Sequence, residues 1–251
     1  MQGEFGKVNF LSTLRIAAPV KCPYLPKRLF VQEYFLAEDV SEQELGLLLN
    51  AGWRHFGRFF FRPACLGCRC CVAIRIDASR LAPTSSQRRV LSRGRAVRVD
   101  VVSPSPTEEA WEVYRAHSRG QFDREANRKD FVHTFYEKAV PTLQSEYRFD
   151  GKLIGLGFLD IADEGISSVY FSFDPQWARY SPGVLSVFRE AELVREAGKS
   201  WYYMGYWVSG CAAMSYKARY RPHQVLDWES GVWHDAEREE SNEKVLQNDI
   251  G

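Results

Sequence analysis

The segment Trp201–Val208 reads W-Y-Y-M-G-Y-W-V, and no other stretch restricts the fold so strongly. Aromatic side chains each remove about 150–250 Å² from water when buried, and they favour strands over helices. The segment is therefore a buried strand that needs a packed layer on each face. Successive side chains along a strand alternate, so its aromatic residues cannot all line one cavity. The chain is long enough to supply both layers, with 251 residues of which 45% are hydrophobic. That size suits one large domain or two small ones sharing an interface. No apolar run reaches the roughly 18 residues of a membrane span. Met1–Phe10 also lacks the basic-then-apolar pattern of a secretory leader, so a cytoplasmic protein is expected.

Other elements follow from local signals. Ser41 and Glu44 form a capping box before Leu45, Leu48 and Leu49, and Gly52 closes that helix. Residues 53–61 read as one strand, residues 72–76 as another. S-P-S-P at residues 103–106 marks a seam, with Ser105, Pro106 and Glu108 expected to open a helix. Asp150-Gly151 joins residues 146–149 to residues 152–161 in a hairpin. Residues 166–173 form a strand, and Ser181-Pro182 opens an amphipathic helix carrying Leu185, Phe188, Ala191 and Val194. The order helix, hairpin, strand, helix, strand is that of an N-acetyltransferase-like (GNAT) unit. The expected class is α+β, with a GNAT-like C-terminal portion and a cysteine-bearing α+β N-terminal portion. Its divisions are 1–103, 104–234 and an acidic tail, 235–251.

Charge is unevenly spread. Eleven arginines lie between Arg54 and Arg98, where Asp77 is the sole acid, although the formal net charge is +1. Such a block suits an anionic partner. Cys65, Cys68, Cys70 and Cys71 lie within seven positions, and a cytoplasmic chain keeps such thiols reduced. The spacing suits thiolate ligation of zinc or an iron–sulfur cluster, with Cys22, Cys68, Cys70 and Cys71 as the ligand set.

Four segments together resemble one family. They are Cys22-Pro23-Tyr24-Leu25-Pro26; Phe61-Arg62-Pro63 with the following cysteines and Ser86-Gln87-Arg88-Arg89; Phe173-Asp174-Pro175; and Tyr202 through Trp207 with Cys211, Met214 and Tyr216-Lys217-Ala218-Arg219-Tyr220. In order over residues 20–228, they are similar to the aminoacyl-tRNA–protein transferases of the N-degron pathway. Leu25, where the eukaryotic arginyl branch has cysteine, places the chain nearer the bacterial leucyl branch. Departures are Cys70, Pro182 within Ser181-Pro182-Gly183, and Ala213 in place of a lysine. The resemblance implies leucine, or less readily arginine, carried from charged tRNA to proteins beginning with Asp or Glu, marking them for degradation.

The aminoacyl ester is already activated, so neither ATP nor CoA is expected. Asp174 is the candidate catalytic carboxylate. Tyr203, Tyr206 and Trp207 are candidates for the donor side chain or the terminal adenosine. Arg88, Arg89, Lys217, Arg219 and Arg221 suit acceptor-stem phosphates. Arg62 and Arg75 suit the carboxylate of an acidic N-terminus. Two other functions fit parts of the sequence: a CoA-dependent N-acetyltransferase, which lacks its Gly-rich loop here, and a non-catalytic module binding metal and nucleic acid.

Overall fold

Trp201–Val208 is a strand, and it lies in the middle of an eight-stranded sheet. The computed structural model describes residues 7–137 and 139–236. The first strands are β1 (Asn9–Phe10), β2 (Arg15–Ile16), β3 (Val20–Lys21), β4 (Leu29–Phe30) and β5 (Gln32–Glu38). Helix α1 (Glu42–Asn50) is followed by β6 (Arg54–Phe56), β7 (Phe59–Pro63), β8 (Cys71–Asp77), α2 (Ser85–Arg93) and β9 (Arg98–Val102). Then come α3 (Glu108–Phe122), α4 (Arg128–Tyr136), β10 (Thr142–Phe149), β11 (Lys152–Ile161) and β12 (Gly165–Phe173). The chain continues through α5 (Pro182–Glu196), β13 (Trp201–Val208), β14 (His223–Leu226) and β15 (Trp233–Asp235).

The large sheet runs β15-β14-β8-β13-β12-β11-β10-β9, and β1, β5, β7 and β6 with β2 make a smaller one. The architecture is mixed α+β. One face of the large sheet packs on α5, where Val187, Ala191 and Val194 meet Ile74, Leu159, Tyr202 and Met204. Over β11, the opposite face is covered by α3 and α4 through Trp111, Phe131 and Phe135 against Phe158. Over β13 that face is covered by α1 and the small sheet, with Phe35, Leu48, Trp53 and Phe60 in one cluster with Tyr203.

Several local expectations hold. Ser41 and Glu44 form the capping box of α1, and Asp150 and Gly151 both adopt positive φ in the β10–β11 turn. Others need correction. Residues 53–61 are not one strand, because Gly57 at φ 52° turns β6 back onto β7. The cap of α3 is Thr107, whose hydroxyl accepts from the Ala110 amide, two residues beyond the expected Ser105. The seam at residues 103–106 does not divide the fold. β8 and β9 precede it in sequence yet are strands of the large sheet, since pairing with β13 and β10 satisfies their backbone groups. Of the expected acidic tail, 235–251, Asp235 ends β15, and the part beyond residue 236 lies outside the described residues.

One buried acid braces the sheet from the α5 side. Glu190 is fully buried, and its carboxylate accepts from the Tyr202 hydroxyl at 2.5 Å, Ser145 at 3.2 Å and Tyr147 at 3.3 Å, with Ser168 as a further donor. Burial pushes its pKa up to about 7, against these bonds, which favour the charged form. A carboxyl whose folded pKa is raised contributes most stability below its unfolded pKa and loses it as pH rises toward 7. Glu190→Gln should therefore melt below wild type at pH 5, with the gap narrowing toward pH 7 and then constant. Thermal melts across that range check it; a gap independent of pH would refute the assignment.

Candidate active site at a split in the sheet

β12 and β13 run parallel but remain paired for three residues only, Gly165 to Ser167 against Trp201 to Tyr203. Beyond that point β12 pairs only with β11 and β13 only with β8, among the described residues. The register of β13 on β8 shifts between Tyr203 and Tyr206, and Gly205 there has φ +78°. A bulge of this kind bends its strand, so β13 swings away from β12 and a split opens. The bulge also returns Tyr206 to the face of Tyr203: both point at the small sheet, whereas Tyr202, Met204 and Trp207 pack toward α5. Strict alternation would have placed Tyr203 and Tyr206 on opposite faces.

Two buried cations meet at this bulge. Arg54 on β6 donates to the Ser167 hydroxyl at 3.1 Å and to the Gly205 carbonyl at 3.4 Å, so it spans the two strands. Its Nε is buried and has no hydrogen-bond partner among the described residues. Lys217, in the 3-10 turn Ser215–Arg219, donates to the Tyr206 carbonyl at 2.9 Å. Burial, aided by the charge of Arg54, pushes the Lys217 ammonium down to about 7. Burial likewise lowers Arg54, opposed by Tyr206, Tyr203 and Asp160. Next to Arg54, His55 is held between Asp160 at 2.6 Å and the Gly57 carbonyl at 2.9 Å. Burial disfavours charge on His55, but Asp160 outweighs it and the His55 pKa is raised.

The expected site residues are distributed as follows. Tyr203 donates to Asn50 at 2.8 Å and Tyr206 to the Gly52 carbonyl at 2.7 Å, which ties the split to the end of α1. Arg75 lies between the rings of Trp201 at 3.8 Å and Trp233 at 4.4 Å. It donates to Gln224, Asn50 and Tyr203. Arg62 pairs with Glu33 and covers the Trp53 ring. Both guanidinium groups are thus occupied by neighbouring side chains. Asp174 accepts from the Gln176 amide at 3.0 Å, and at the end of β12 its own amide donates to the Ile154 carbonyl at 3.0 Å. There it lines a cavity of about 730 Å³ with Glu108, Glu112, Arg115 and Arg119. The split opens toward β13.

Lys217, Arg219 and Arg221 do not share a face, because the 3-10 turn buries Lys217 and exposes Arg219, while Arg221 reaches the Ala236 carbonyl. Arg88 and Arg89 are exposed on α2. A groove of about 470 Å³ between α2 and α5 adds Arg95, Arg189 and Arg195 to Arg88. The arginine block itself is scattered: Arg58, Arg62, Arg80 and Arg98 pair with acids of their own neighbourhoods.

The thiols lie around Cys71. Burial and then Cys65, Cys22, Cys68 and Cys70 push its pKa up to about 12. Cys68 is lowered instead, against burial, by Cys70 and Arg28. The donor types suit a soft metal, yet among the described residues no three His, Cys, Asp or Glu side chains stand where they could hold one ion.

Arg54, His55, Asp160, Ser167 and Glu190 escape sequence reasoning as site residues. The available signal was Arg54-His55 embedded between Trp53 and Phe56, two charge-capable residues in an aromatic run.

A lysine whose folded pKa is lowered opposes folding below that pKa. The penalty disappears as pH rises from about 7 toward the ordinary lysine value of 10.5, because the unfolded chain still binds the proton there. Lys217→Met should therefore melt above wild type at pH 6.5, and the advantage should shrink as pH is raised toward 9. A variant that melts below wild type at both values would refute the buried-charge assignment.

Comparison with known proteins bears on this arrangement. The family model described as Arginine-tRNA-protein transferase, N terminus, matches residues 20–89, and its C-terminal counterpart matches residues 108–227. An aspartate/glutamate leucyltransferase of Maricaulis maris is 35% identical over 243 residues, covering 90% of this chain and 94% of that protein. Proteins of the same name from Saccharophagus degradans and Thiobacillus denitrificans are 33% and 31% identical, covering 86% and 88% of this chain and 95% and 93% of theirs. Among solved structures, the crystal structure of FemX aligns with a TM-score of 0.44 at 7% identity, covering 78% of this chain and 79% of that one. The chain is an acyltransferase that belongs to the aminoacyl-tRNA–protein transferase family, in its aspartate/glutamate leucyltransferase group.

Proposed function

We propose that this enzyme moves leucine from leucyl-tRNA to the α-amine of proteins beginning with Asp or Glu, marking them for degradation in the cytoplasm, and that the β12–β13 split is where ester and amine meet. The observation that carries the placement is the open inner edge of β12 from Ser168 to Phe173. Half of its backbone groups face the gap, and an extended N-terminal segment of the acceptor can add to them as a strand does. The order β9, α3, α4, β10, β11, β12, α5, β13 supports a GNAT-like acyltransferase unit.

The acceptor amine attacks the ester carbonyl carbon. A carbon–nitrogen bond forms, the carbon–oxygen bond to the terminal ribose breaks, and the proton lost by the amine leaves with the ribose hydroxyl. An α-amine with a pKa of roughly 7.7–8 is partly neutral at pH 7. Alignment of the two reactants is the larger contribution, worth roughly 7–11 kcal/mol in well-oriented systems. The split supplies walls for that alignment. Its aromatic floor, Tyr203 and Tyr206, is rigid because both hydroxyls are tied to α1 and the residues after it.

The exposed arginines of the α2–α5 groove are assigned to the acceptor-stem phosphates, since binding there is sequence-independent and needs solvated cations. Arg88→Ala and Arg95→Ala should each raise the KM for leucyl-tRNA and reduce the slope of log affinity against log salt by roughly 0.7–0.9. KM for the acceptor peptide should stay constant. An unchanged slope in both would place the tRNA elsewhere.

The central assay offers labelled leucyl-tRNA and arginyl-tRNA in parallel to peptides beginning with Asp, Glu, Arg and Ala. Leucine should pass to the Asp and Glu peptides alone. Transfer of arginine to those peptides would keep the reaction and change the donor. Transfer of neither would overturn the proposal.

A further inference from the structure

We infer that Arg54 and Lys217 form the receptor for the side-chain carboxylate of the acceptor's first residue, an anion site within the split. The inference rests on the transfer reaction proposed above for the identity of the ligand and on geometry for the site itself. Arg54 and Lys217 are only 8% and 9% exposed, and neither makes an ion pair with a carboxylate among the described residues. Other buried or half-buried cations are provided for differently: Arg62 has Glu33, and Arg75 has two indole rings and three polar side chains. Two adjacent buried cations with no ion-pair partner of their own, Asp160 being bonded to His55 and acting on Arg54 only through space, are an expensive arrangement that an arriving carboxylate relieves.

The two cations hold consecutive carbonyls of the bulge, Arg54 that of Gly205 and Lys217 that of Tyr206. Gly205 keeps the approach clear. A Cβ built on it would lie 3.5 Å from the Lys217 ammonium, and its φ of +78° disfavours any other residue. The unpartnered Arg54 Nε and the remaining Lys217 protons are donors for an incoming oxygen. A desolvated pair of cations also provides the discrimination the reaction needs. Asn and Gln match Asp and Glu in shape but bring no charge, so they leave both cations uncompensated. A tRNA phosphate diester is a poorer occupant, because its neighbours along the backbone would have to enter the same buried split. The same cations repel the acceptor's α-ammonium nearby and so favour its neutral, nucleophilic form.

The test uses the full chain and two readouts. In thermal melts, Asp-Ala should stabilise wild type more than Asn-Ala does, whereas Lys217→Met should respond to neither. In leucine transfer, Lys217→Met should raise KM for an Asp peptide on the order of 10- to 100-fold, the range for losing one charge-assisted hydrogen bond. Its preference for Asp over Asn should fall with it, while KM for leucyl-tRNA is unchanged. Lys217→Arg, which keeps the charge, should restore part of the preference. The inference is overturned if Lys217→Met keeps the Asp preference, or if its loss appears in KM for leucyl-tRNA. Selective stabilisation of wild type by Asp-Ala without any leucine transfer would support the anion site while removing the proposed reaction.

Discussion

Two polar braces, one on each face, hold β12 and β13 at the angle on which the rest of this molecule depends. On the α5 face, the Glu190 carboxylate gathers Tyr202 from β13 and Ser168 from β12. On the opposite face, the Arg54 guanidinium gathers Ser167 from β12 and the Gly205 carbonyl from β13. Ser167 and Ser168 are consecutive, so the pleat of β12 delivers one residue to each brace, while β13 gives the Tyr202 hydroxyl to one and the Gly205 carbonyl to the other. Backbone pairing stops at this point, and side-chain hydrogen bonds take over from ladder bonds. A sheet is thereby opened in its centre, and the buried Arg54 Nε and Ser172 hydroxyl that border the opening are left without a hydrogen-bond partner among the described residues.

An opening braced by charge has an electrostatic consequence. Among the described residues Glu190 is bonded by hydroxyls and makes no ion pair, while Arg54 and Lys217 donate to carbonyls and a hydroxyl and make no ion pair, although the Asp160 charge reaches Arg54. Each side of the sheet therefore carries a buried ionisable group without an ion-pair partner among the described residues, and hydrogen bonds repay part of the desolvation of its charged form. His55 and Asp160, in contrast, form a paired unit that joins the small sheet to β11.

The N-terminal portion is part of the site rather than an accessory to it. β6 delivers Arg54, α1 ends at Asn50 and Gly52 beneath Tyr203 and Tyr206, and β8 is the partner against which β13 forms its bulge. The cysteine loop leads directly into β8, and the Cys70 carbonyl accepts from the Ser209 amide just beyond β13.

Much of the fold was legible from residues close together in the chain. The capping box at Ser41, the Asp150-Gly151 turn and the burial of residues 201–208 follow from local stereochemistry and hydrophobic area, and the four-segment resemblance already indicated the family. The identity of the bulge residue's partners, the union of β8 and β9 with the C-terminal strands, and the place of Asp174 in a cavity beside α3 were not legible. Each depends on pairings between residues far apart in sequence. Arg62, Arg75 and Lys217 make the difference plain: as residue types they are interchangeable cations. Arg62 and Arg75 acquire neighbours that satisfy them, while Lys217 is buried beside Arg54 and forms no ion pair among the described residues. Which cation is spoken for and which is available is a property of surroundings assembled from both ends of the chain, and surroundings exist only once the chain has folded.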